Sequence, residues 1–193
     1  MTIRALAAVG ILGGLALLVT FVVDLSPAQN TVRIFLFLAG GAAVALAAFA
    51  PQAAASRRAA LAGAIPLILA NGIYAAWVLL SLGRERPFAG DFGVAGFYAG
   101  IGLWLAHAWY GVVAVRIGVM WRWAGVLLAV GSLLAITGID RLELTSPGNP
   151  TIFGPLSLLG IALNGIAWTL LALELVLPNL GGLRRRTTPT PAG

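Results

Sequence analysis

The chain has 193 residues, of which 60% are hydrophobic and 9% charged, with a mean hydropathy of +0.98 and a formal net charge of +6. A soluble domain carries about 25% charged residues, so this composition excludes a water-covered globule and leaves lipid as the solvent. Cysteine is absent, which excludes disulfides, thiolate metal sites and cysteine nucleophiles. Every basic residue is Arg, placed in loops and a tail, which points to anionic lipid headgroups at the cytoplasmic face rather than to nucleic acid.

A span needs roughly 20 mostly apolar residues to cross about 30 Å of hydrocarbon. In chain order the apolar segments are 5–23, ending at Asp24 and Pro27; 32–50, ending at Pro51; 59–82, interrupted by Pro66; 97–119; 123–139; and 153–177. The first is longer than the roughly 7–15-residue core of a secretory signal and reads as a span. The expectation is an all-α, polytopic membrane helix bundle of six transmembrane helices in one domain over 1–180. A basic, Pro- and Thr-rich tail, 181–193, is expected to be disordered.

Loop charges give the orientation. The amino-terminal side collects Arg4, Arg57, Arg58, Arg116, Arg122, Arg184, Arg185 and Arg186 and no acid. The other side collects Arg33, Arg84, Arg86 and Arg141 against Asp24, Glu85, Asp91, Asp140 and Glu143. An Arg excess in short loops marks the cytoplasmic side. A multi-pass protein of the cell (plasma or inner) membrane with both termini cytoplasmic follows. Gly10 with Gly14, Gly96 with Gly100, and Gly40 and Gly41 with Ala43 and Ala47 supply the small faces along which helices approach in lipid.

Polar groups deep in the spans are where chemistry could sit. His107, the single histidine, is about 15 Å into its segment at roughly 1.5 Å per residue. Asn71 and Asn164 fall at similar depth, and helical spacing puts Trp104, Tyr110, Tyr74 and Trp168 near them. These seven residues are the candidate ligand-binding set, a midplane pocket with aromatic walls. The competing reading is interhelical glue, worth about 0.6 kcal/mol per contact. Glu174 is shallow enough to reach the interface or pair with a loop Arg. Arg84, Glu85, Arg86, Asp91, Asp140, Arg141 and Glu143 read as solvated loop ends, and Tyr98, Trp121 and Trp123 as interfacial belt residues.

One histidine without cysteine cannot assemble an ordinary metal site, and no cofactor is expected. No nucleophile elbow, phosphate loop or paired-carboxylate motif is present. Three function classes follow. The first is a binding or accessory subunit of a membrane complex, with a membrane-protein partner or a second copy of itself. The second is a small transporter or substrate-binding subunit. The third is an enzyme on a lipid-soluble substrate, with His107 as acid or base. In size the chain resembles the vitamin-capturing subunits of energy-coupling transporters, none of whose motifs it carries.

Overall fold

A computed structural model describes residues 2–19, 27–82, 84, 90–137 and 155–177. They form five helices: α1 (Ile3–Val19), α2 (Pro27–Ser81), α3 (Gly90–Ile117), α4 (Arg122–Ile136) and α5 (Pro155–Val176). The described chain is all-helical. The stretches Ala28–Ser81, Gly90–Ile117 and Pro155–Val176 are long and apolar enough to cross a membrane, whereas Ile3–Val19 and Arg122–Ile136 are apolar but shorter. Much of the predicted outer rim and the whole tail lie outside the described residues.

The main departure from the sequence reading is α2. Its two predicted segments, 32–50 and 59–82, are one assigned helix of 55 residues, running through Pro51 and Pro66. Drawn straight, it would be about 80 Å long. It is not straight, because Ser56 is extended (φ −160°, ψ 100°). The Asn71 amide also donates to the Leu38 carbonyl at 3.2 Å, from the far side of that break. α2 is therefore a hairpin of two antiparallel arms that turns at Ser56. The reason is local. The Ser56 hydroxyl accepts the Ala59 backbone N–H at 3.4 Å, satisfying a donor that the new helix start would leave unpaired. Pro51 falls near the end of the first arm and only removes a donor, so it does not mark the boundary expected of it.

α3 begins at Gly90, seven positions before the predicted Phe97. Gly90 has a left-handed φ of +59°, which suits glycine, and Asp91 lies in the first turn, where a carboxylate complements the helix dipole. This start is tied to the end of α2, since the Trp77 indole donates to the Phe92 carbonyl at 3.1 Å.

The helices close into a ring. α1 packs on α2 and α5, α5 on α4, α4 on α3, and α3 on α2. Four of these seams are glycine against glycine. A Cβ added at Gly13 would lie 2.7 Å from the Gly40 Cα, one at Gly14 2.7 Å from the Gly165 oxygen, one at Gly111 2.6 Å from the Gly125 oxygen, and one at Gly131 2.9 Å from the Gly160 oxygen. Backbones this close gain dispersion contacts that lipid cannot match, which is what drives helix association without a hydrophobic force. Of the small-residue pairs read from sequence, Gly10 and Gly14 face neighbours in this way, and Gly96 receives the Trp77 indole. Arg4, Arg57, Arg58, Arg116 and Arg122 gather at one end of the ring, where α1 and α4 start, the α2 hairpin turns and α3 stops.

Candidate functional site

The interior of the ring is filled by Tyr110, His107, Trp168 and Asn164, each fully buried, with Asn71 4% exposed. Phe37 lies 5.0 Å from the His107 ring, Trp168 meets it edge-on at 5.3 Å and Trp104 at 5.9 Å. Tyr110 stacks on Trp168 at 5.7 Å. Glycine at position 41 lets the first arm of α2 close over this group. A Cβ there would meet the Asn71 amide nitrogen at 3.3 Å, Trp168 at 3.5 Å and His107 at 3.6 Å.

The polar atoms form one directed relay. The Trp168 indole donates to His107 Nδ1 at 3.2 Å, and His107 Nε2 meets Asn71 Oδ1 at 3.0 Å. Asn71 Nδ2 then donates to the Leu38 carbonyl at 3.2 Å. Both ends dictate the same tautomer. An indole N–H can only donate, so Nδ1 is bare. A carbonyl can only accept, so the Asn71 amide turns its NH2 to Leu38 and its oxygen to Nε2, which must carry the proton. The neutral Nε2–H ring satisfies every partner, whereas a charged ring would set a second N–H against the indole.

The relay joins both arms of α2, α3 and α5. Asn164 serves a different seam: its oxygen accepts from Ser132 of α4 at 3.0 Å and its amide donates to the Gly160 carbonyl at 3.1 Å. Four of the predicted residues therefore assemble around His107: Asn71, Trp104, Tyr110 and Trp168. Tyr74 does not join them. It packs on Trp77 at 5.7 Å, the start of a ladder that continues through Phe92 to the Arg84 guanidinium, 3.9 Å over the Phe92 ring.

Three participants were missed from sequence. Phe37 looks like any core aromatic until the arms are paired. Gln52, 1% exposed, reaches the Tyr110 hydroxyl and the Met120 sulfur, both at 3.4 Å. Its signal was an amide beside Pro51 in an apolar run. Ser132 shares its one hydroxyl proton between the Leu128 carbonyl at 2.7 Å and Asn164 Oδ1 at 3.0 Å. Glu174 was expected to reach the interface or pair with Arg. It is 5% exposed and accepts the Trp121 backbone N–H at 2.6 Å, capping the start of α4, which has no side-chain cap of its own.

Two clefts among the described residues lie away from His107. One, of about 330 Å³, is almost wholly apolar and lies on the outer surface between the second arm of α2 and α3, along Ala70, Ile73, Ala95, Tyr98, Ala99 and Gly102. The other, of about 290 Å³, lies at the Arg-rich end beside the α3–α4 connection. Comparison with known protein families, curated proteins and solved structures gives no match to this chain.

Proposed function

We propose that this chain is a six-span membrane protein, with both termini cytoplasmic, that acts as a binding or accessory subunit of a membrane complex. The six-span count treats the arms of the α2 hairpin as separate crossings and takes the shorter apolar helices α1 and α4 as crossings of their own. The orientation is supported by the Arg-rich end of the ring, which carries the charge bias of a cytoplasmic face.

The observation that carries the accessory reading is the saturation of the relay. Both ring nitrogens of His107 are engaged by protein groups, and the aromatic walls close on the imidazole itself. An acid, base or ligand-gripping histidine needs a nitrogen turned toward its substrate. The polar centre instead pins four helical segments to one another, and the faces left for function are those on the outside of the ring.

Isolation from its own membrane in mild detergent tests this. A defined assembly with a second protein or a second copy is the expected result. A monomer that carries a small molecule, and loses it on His107→Phe, would replace this reading with a transporter or enzyme built on the midplane residues.

A further inference from the structure

The polar cleft at the Arg-rich end is built by the tight connection between α3 and α4. Gly118 ends α3 with a left-handed φ of +68°, and the Arg122 guanidinium folds back over it, its Nη2 3.5 Å from where a Cβ at 118 would lie. The same cleft is lined by Glu174 and by Trp121 and Trp123, which are 39% and 67% exposed. The guanidinium and the carboxylate share this small space without pairing with each other. The carboxylate holds the Trp121 N–H through one oxygen, which leaves acceptor capacity unused, since an ionised carboxylate offers about four lone-pair sites.

A cation and an anion that line one cleft without pairing with each other, flanked by exposed indoles at the end of a membrane bundle, match a ligand that carries both charges at the headgroup level. We infer that this cleft seats the headgroup of a zwitterionic aminophospholipid, its phosphate on Arg122 and its ammonium on Glu174, with Trp121 and Trp123 at the glycerol level. A guanidinium fork suits phosphate oxygens, and indoles favour the headgroup boundary. A purely anionic headgroup would meet Arg122 equally well but would be opposed by Glu174, so the carboxylate is what selects the amine. The inference rests on the membrane reading above. Its failure is distinguishable from the failure of that reading, because headgroup retention is measured on solubilised protein whatever its orientation.

The test is native mass spectrometry of the full chain in detergent, offered equal amounts of phosphatidylethanolamine and phosphatidylglycerol with the same acyl chains. The wild type should retain phosphatidylethanolamine in preference. Arg122→Gln should reduce retention of both lipids about tenfold, the scale of one lost charge-assisted contact. Glu174→Gln keeps an oxygen for the Trp121 N–H and so keeps the α4 cap, and it should erase the preference while leaving phosphatidylglycerol bound. Equal retention of the two lipids by the wild type, or full retention by Arg122→Gln, would overturn the assignment. So would displacement of the lipid by an equal concentration of inorganic phosphate, which would make the cleft a free-anion site.

Discussion

His107 holds its place through two bonds of opposite sense, one accepted from Trp168 and one donated to Asn71. Replacement by Phe keeps an aromatic but orphans the indole N–H and the Asn71 oxygen. Leaving a buried polar group unsatisfied costs about 1–3 kcal/mol, and membrane hydrogen bonds average about 0.6 kcal/mol, so His107→Phe should lower stability by about 1–2 kcal/mol. Denaturation in mixed micelles reads this directly. Because Trp168→Phe removes the same bond, the double variant should cost less than the two single variants summed. Strict additivity would break the relay as described. A second expectation concerns the proton: nitrogen-15 spectra of labelled histidine should show the neutral ring with Nε2 protonated and Nδ1 bare. The opposite tautomer would mean that Trp168 points elsewhere.

The helices are held at glycine crossings and by caps borrowed from neighbours, so the informative substitutions at this scale add volume or remove a cap. Gly131→Leu would drive a side chain into the Gly160 oxygen and the Asn164 amide, both within 2.9 Å of a Cβ at that position. Over-filling a packed seam costs about 1–3 kcal/mol, and this seam also carries the Ser132–Asn164 bond. Thermal unfolding in detergent should fall accordingly, whereas Gly72→Leu, at a position with open space around a Cβ, should change little. At the α2 hairpin, Ser56→Ala removes the cap of the second arm and should cost about 1 kcal/mol. Pro51→Ala should leave the fold intact, because the helix already runs through Pro51. A larger loss from Pro51→Ala than from Ser56→Ala would place the turn where the sequence reading put it.

For the molecule as a whole, the decisive quantity is which end faces the cytoplasm. The chain has no cysteine, so single cysteines report without background. Arg57→Cys, at the α2 turn, should react with an impermeant thiol reagent only when the cytoplasmic side is accessible. Arg84→Cys, beyond the end of α2, should react only from outside. Labelling of both from one side would mean that the arms of α2 do not cross as a pair, and with that the six-span proposal would fall. The ring itself leaves few polar groups to lipid, and its outer wall is apolar along α1, α2 and α4, as at Leu12, Leu79 and Leu133.

Much of this was legible in the linear sequence, because apolar length and Arg placement are local properties that need no partner to be read. They gave the helical class, long segments apolar enough to cross a membrane, and the prominence of His107, Asn71 and Asn164 as polar groups in an apolar field. The segment boundaries were less legible. Pro51 looks like a helix stop, yet the turn is decided five residues on by a serine that can cap the next arm. Tertiary structure alone decided what the polar groups do. Spacing along one helix says which face a residue shares, but not which neighbour meets that face. Only once α2 folds back and the ring brings the Trp168 side chain of α5 across to α3 does His107 acquire a donor on one side and an acceptor on the other. The same closure turns Glu174 from an interfacial charge into the cap of α4, and leaves it beside Arg122 in the one polar cleft described. Such pairings join residues far apart in the chain through hydrogen bonds a few ångströms long. Their geometry comes from the order of helices around the ring, which composition and periodicity do not encode.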